Sequence, residues 1–183
     1  MGIERQLRER TKAVSNDPVI WIGNDHGGFE LKLRIVDHLA QRGIGVHDVG
    51  SASTEIVRYP LFAAQVAEAI VHAVASRGIL ICSTGIGMSI IANRYRGIRA
   101  SLCTSAHIGK MTRAHNDSNI LCLGGKITPV PEAMEILDAW LDTPYEGGRH
   151  DISLGLIRDA EDAISSCGVW EPLDHVAPGG KKA

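Results

Sequence analysis

Short β-branched runs alternate with longer segments of helical period along most of this 183-residue chain, and that alternation restricts the fold more than any other feature. The runs occupy 19–23, 45–49, 78–82, 98–103 and 119–123. Between them Leu31, Ile35 and Leu39 recur at i, i+4 and i+8, and Phe62, Val66, Ala69, Ile70 and Ala73 form a second stripe. Met88, Ile91, Ala92 and Tyr95 make a third, and Met134, Leu137 and Leu141 a fourth. Pro60 and Pro131 stand where first-turn prolines belong. Parallel neighbours need a crossover connection, so the pattern predicts a doubly wound, Rossmann-like three-layer α/β/α sandwich. Its parallel sheet is expected to have about five strands.

With 44% hydrophobic and 22% charged residues, the chain can bury a full core in one domain, expected over 17–167. Residues 1–16 read as a polar N-terminal extension. Residues 168–183 read as an irregular, surface-lying C-terminal tail pinned by Trp170. Nineteen Lys and Arg against 21 Asp and Glu leave no basic surplus for nucleic acid. No stretch approaches a membrane span, and the polar start carries no apolar leader, so the cytoplasm is the expected location. Cys82, Cys103, Cys122 and Cys167 are widely spaced without a CxxC pair, a pattern of reduced thiols.

In open α/β sheets ligands bind beyond the carboxyl ends of the strands. Asn24-Asp25-His26-Gly27-Gly28 follows the first run, and Cys82-Ser83-Thr84-Gly85-Ile86-Gly87-Met88-Ser89 ends the third. His115-Asn116-Asp117 precedes the fifth, Gly124-Gly125-Lys126 leaves it, and Tyr145-Glu146-Gly147-Gly148-Arg149-His150 opens the last helix. Gly85 and Gly87 suit a loop whose backbone approaches an anion at the start of a helix. It is neither a dinucleotide fingerprint, since Ile90 replaces the third glycine, nor a Walker loop, nor a Cys-x5-Arg phosphate loop. Cys82, at a strand end before a helix, feels the positive end of the helix dipole, which favours thiolate. An isolated cysteine there can equally be buried and inert, the reading given to Cys103 and Cys122. His26 beside Asp25 lacks a third ligand at metal spacing, and His38, His47, His72 and His107 read as surface or satisfied core residues.

Together, Asp25-His26-Gly27-Gly28-Phe29, Tyr59-Pro60, the Cys82–Ser89 loop, His115-Asn116-Asp117 and the 145–150 segment resemble the type B ribose-5-phosphate isomerase family, which includes the galactose-6-phosphate isomerase subunits. The resemblance implies a metal-free, cofactor-free aldose–ketose isomerase of phosphorylated sugars, of the ribose 5-phosphate/ribulose 5-phosphate type, working through a cis-enediolate. It makes Cys82 the base, Thr84 the hydroxyl at the sugar oxygens, and His115, assisted by Asp25, the ring-opening residue. The amides around Ser83, Gly85, Gly87 and Ser89 would hold the enediolate oxygen. Tyr59 and Asn116 would line the sugar pocket, and His26 and Arg149 would contact the polar end of the substrate. Lys126 stands where the family usually has an arginine of the phosphate end. The resemblance further implies a homodimer or dimer of dimers with the site at the subunit boundary.

Departures from the family pattern gather at that phosphate end: Ser153 stands for a second arginine, Lys126 for an arginine and Arg58 for a common Asp, while Ser83 stands for a usual glycine in the Cys82–Ser89 loop. They point to a related substrate, such as a tetrose phosphate (erythrose 4-phosphate/erythrulose 4-phosphate). A non-catalytic sugar-phosphate-binding protein and a thiol-dependent hydrolase or transferase using Cys82 and His115 are the competing classes.

Overall fold

A computed structural model describes residues 19–168, which form two compact units divided after Tyr145. In the first, β1 (Ile20–Asn24), β2 (Val46–Asp48), β3 (Gly78–Cys82), β4 (Ala100–Leu102) and β5 (Ile120–Gly124) make one five-stranded sheet. Its order is β2-β1-β3-β5-β4 and every pairing is parallel. The helices are α1 (Phe29–Gln41), α2 (Tyr59–Val71), α3 (Ile86–Ala92), α4 (Ala106–Asn116) and α5 (Val130–Asp142). The expected doubly wound α/β sandwich is therefore the observed architecture.

Two cores explain why β3 and β5 read as continuous apolar runs rather than alternating ones: both faces of both strands are buried. Successive side chains point to opposite faces. Ile79, Ile81, Leu121 and Leu123 therefore meet Leu31, Ile35 and Leu39 of α1 and Ile136, Leu137 and Trp140 of α5. Leu80, Cys82, Ile120 and Cys122 meet Val66 of α2 and Met88 of α3. This alternation puts Cys82 on the α2/α3 side.

Three features differ from expectation. The α5 stripe is rotated: its fully buried face is Ala133, Ile136, Leu137 and Trp140, with Met134 and Leu141 only partly covered. An indole buries far more area than an aliphatic side chain, so Trp140 sets the face. Tyr95 lies beyond α3, which ends at Ala92. Helix α4 had no apolar stripe to announce it, since its buried residues are Gly109, Thr112, Arg113 and Ala114. Packing holds it instead, with Gly109 so close to α5 that a Cβ would sit 2.9 Å from the Ile136 carbonyl oxygen.

The second unit holds α6 (Arg149–Cys167), which begins after two positive-φ glycines, Gly147 and Gly148. Gly168 caps it in the left-handed region, its amide donating to the Ile164 carbonyl at 3.0 Å. The extension at 1–16 and Trp170 with the rest of the tail lie outside the described residues. Among the described residues no helix is long and apolar enough to cross a membrane.

Candidate active site

The strand order reverses direction between β1 and β3, because β2 lies on one side of β1 and the chain then crosses to the other. Such a switch point opens a crevice between the loops at the two carboxyl ends. The loop after β1 is held by its own acid. Asp25 is buried and its Oδ1 accepts from the amides of Gly27 at 2.8 Å and Gly28 at 3.2 Å. His26 accepts at Nδ1 from the Val57 amide at 3.4 Å. In a neutral ring this leaves the proton on Nε2, where it can donate.

Backbone packs on backbone where the loops meet. A Cβ on Gly27 would lie 2.2 Å from Ser83 Oγ, and one on Gly125 would lie 2.5 Å from the Gly27 carbonyl oxygen. The amides of Gly125 and Lys126 donate to the carbonyls of Cys82 at 2.8 Å and Ser83 at 3.0 Å. The exits of β1, β3 and β5 are thereby fastened into one platform. Gly125, given no role of its own by the sequence, is a member of this platform.

Cys82 closes β3 on this platform, 5% exposed, with its Sγ accepting from the Gly85 amide at 3.1 Å. Gly85 makes this possible by adopting φ of 77°, the left-handed conformation, where any Cβ would strike Leu102 and the backbone of Leu123. Thr84 Oγ1 accepts from the Ile86 amide at 3.4 Å. Tyr59, the first residue of α2, places its ring over the opening turn of α3, 2.7 Å from where a Gly87 Cβ would be. Ser89 turns its hydroxyl back to the Ile86 carbonyl at 2.9 Å, and Lys126 is exposed. Cys103 and Cys122 are different thiols, buried in the two cores. Burial pushes Cys103 up to about 12 and Cys122 well above the ordinary value.

Asp25, His26, Tyr59, Cys82, Ser83, Thr84, Gly85, Gly87, Ser89 and Lys126 thus belong to elements at the carboxyl end of the sheet. His115 and Asn116 do not. They form the last turn of α4, which returns the chain to the amino end of β5. The Asn116 carbonyl accepts from Arg99 Nε at 2.9 Å, next to the start of β4. A five-residue strand at roughly 3.3 Å per residue puts the turn of His115 roughly 15 Å from Cys82 within one chain. Cys82 and His115 therefore form no nucleophile–base pair within one chain. Arg149 opens α6 in the second unit, exposed, with Nε 3.5 Å from His150 Nε2.

Two buried polar residues beside the platform carried no sequence signal as site residues. Lys32 interrupts the apolar pattern of α1, is 3% exposed, and donates to the Ser51 carbonyl at 2.6 Å and to Asp48. It ties the exit of β2 to α1. Asn24 ends β1 fully buried, with Nδ2 donating to the Asp25 carbonyl at 2.7 Å and Oδ1 lacking a partner.

Residues 20–157 match the ribose/galactose isomerase family. The chain belongs to that family. Ribose-5-phosphate isomerase B of Escherichia coli K12 is 47% identical over 131 residues, covering 72% of this chain and 88% of the relative. A Clostridium thermocellum ribose-5-phosphate isomerase B structure superposes with a TM-score of 0.77 at 46% identity, over 79% of this chain and 97% of that one. The Trypanosoma brucei type B ribose 5-phosphate isomerase does so with 0.75 at 40% identity, over 78% and 97%. The class expected from the motifs, a sugar-phosphate aldose–ketose isomerase, holds.

Proposed function

We propose that the protein interconverts ribose 5-phosphate and ribulose 5-phosphate through a cis-enediolate, with Cys82 as the base. The observation that carries this reading is the Gly85 amide aimed at Cys82 Sγ on a platform of close-packed loops. A hydrogen bond to sulfur of this kind stabilises negative charge there. In the open-chain aldose the Cys82 thiolate takes the proton from C2 and returns it to C1. The accompanying proton passes from O2 to O1 with the Thr84 hydroxyl beside these oxygens. Amides at the opening of α3 face the negative oxygen, Asp25 holds the β1 loop in shape, and Tyr59 walls the sugar.

Ring opening is assigned to His115 with Asn116 beside it and phosphate binding to Arg149, all three contributed by a second copy of the chain, with His26 and Lys126 at the polar end of the substrate. Because His115 and Asn116 stand at the opposite end of the sheet from Cys82, this assignment requires a second copy of the chain, in a homodimer or dimer of dimers. Exposed Leu61, Ile86 and Ile90 around α2 and α3 supply apolar surface for such pairing. The cytoplasm is the location consistent with this chemistry.

The test is proton NMR in D2O without added metal. Ketose formed from ribose 5-phosphate that carries solvent deuterium at C1 supports the reading, and ketose formed without any deuterium, or no ketose at all, removes it. A tetrose phosphate is the second reading, favoured by exposed Lys126 and by Ser153 at the phosphate end. A higher kcat/KM for erythrose 4-phosphate selects it. Binding of either sugar without exchange selects a non-catalytic sugar-phosphate-binding protein.

A further inference from the structure

The amino end of the sheet, opposite Cys82, opens into a cavity of about 720 Å3. Four guanidinium groups line it, from Arg42, Arg77, Arg99 and Arg113, against the carboxylates of Asp117 and Asp142. Each guanidinium is anchored. Arg77 Nη1 donates to the Leu141 carbonyl at 2.9 Å, and Arg113 Nη1 donates to Asp117 at 2.8 Å and to the Ser118 carbonyl. Arg99 Nη2 donates to Asp117 at 2.8 Å, and Arg42 is tied to Asp138 and Asp142. Anchoring uses only part of the donor capacity, since a guanidinium carries five N–H groups. Arg77 has no carboxylate partner among the described residues, and the buried Nε of Arg113 has no hydrogen-bond partner. Burial and, next, the charge of Arg113 lower the Arg77 pKa, and Asp117 and Asp142 offset this only in part, so the two cations sit together in partly desolvated surroundings.

We propose that this cavity is a second ligand site, for a small anion bearing phosphoryl groups, distinct from the Cys82–Ser89 loop of the same chain. Preorganised planar donors match phosphoryl oxygens in pairs, and an anion between Arg77 and Arg113 relieves their repulsion. The site also reaches the catalytic residues through Asp117. That residue closes α4 in the left-handed conformation two positions after His115, its carboxylate held by Arg99 and Arg113. An anion that competes for these arginines loosens the turn carrying His115 and slows ring opening. This consequence rests on the isomerase reading, whereas binding does not.

The experiment is a titration of the full chain with inorganic pyrophosphate, followed by 15N NMR. It reads the amides of Arg77 and Asn119 and the Nε–Hε signals of Arg77 and Arg113, against the amides of 83–89. Saturable shifts in the first set are expected, weakened about tenfold or more in Arg77→Ala and unchanged in Lys126→Ala. Should Arg77→Ala not fold, Arg42→Ala serves in its place. A ribose 5-phosphate arm distinguishes a sugar phosphate from an inorganic phosphoryl anion as occupant. Shifts confined to 83–89, or equal shifts with chloride at matched ionic strength, overturn the proposal, as does no shift at millimolar pyrophosphate. Isomerase activity measured on the same samples reports separately. Cavity binding without turnover leaves this site standing and removes the catalytic reading.

Discussion

The amide of Gly85 points at the sulfur of Cys82 across 3.1 Å, and the left-handed backbone of Gly85 is what lets it do so. A strand end, a tight turn and the opening of α3 meet in four residues, so the thiol is held against a donor rather than packed among aliphatic groups. Cys122, on the neighbouring strand and facing the same core, has no such turn and is fully buried.

Gly85→Ala follows directly. The substitution costs roughly 1–2 kcal/mol for the left-handed conformation, and its Cβ meets Leu102 at 2.5 Å and the Leu123 backbone at 2.9 Å. The loop must move, taking the amide from Cys82. Turnover should fall at least as steeply as stability, as kcat measured beside a urea unfolding curve will show.

Cys82→Ala removes the proposed base and the partner of the Gly85 amide but keeps the backbone bond from the Gly125 amide to the Cys82 carbonyl. Solvent deuterium incorporation at C1 of the ketose should fall by about 100-fold or more, within the range of a lost general base. Sugar-phosphate affinity should change little. Retained exchange would assign the base elsewhere.

If His115 serves the Cys82 of another chain, two inactive proteins should repair each other. Cys82→Ala and His115→Ala, unfolded together in equal amounts and refolded, form hybrids with one intact site. In a two-fold symmetric dimer, random pairing restores about a quarter of wild-type activity on ribose 5-phosphate. Refolded mixtures that stay as inactive as either parent would place both residues in one chain's site.

Gly125→Ala probes the close approach of the β1 and β5 exits. Its Cβ would stand 2.5 Å from the Gly27 carbonyl oxygen, a backbone atom that cannot rotate away. Thermal midpoint and activity should both drop, by about 1–3 kcal/mol equivalent for overpacking. Lys126→Ala, at the exposed next position, should leave stability within about 0.5 kcal/mol while raising KM.

Cys103 adds a pH dependence of known sign. Burial holds its thiol protonated in the folded chain up to about 12, against an ordinary value of 9.0. Between these pH values the unfolded chain releases a proton that the folded chain keeps, so stability falls as pH rises through that window. Cys122 acts in the same direction. The loss of urea midpoint between pH 8 and pH 10.5 should be smaller in Cys103→Ala than in the parent.

Residue order alone determined the alternation of strands and helices, the parallel sheet and the glycine turn after β3, because periodicity and glycine placement are local properties. The glycine turn after β3 was legible for that reason, and so were Pro60 and Pro131 in first turns, whereas Cys82 and Thr84 gained catalytic roles only through the family resemblance. Tertiary structure decided what depends on distance through space. Helix α4 forms without an apolar stripe because Gly109 fits against α5, and Trp140 is fully buried in the core where Met134 only packs at its edge. The crossovers carry His115 to the far end of the sheet from Cys82, and they gather Arg42, Arg77, Arg99 and Arg113, scattered over 72 positions, around one cavity. No local pattern records such gatherings, since a parallel sheet joins at each end residues that the sequence keeps a whole strand and helix apart.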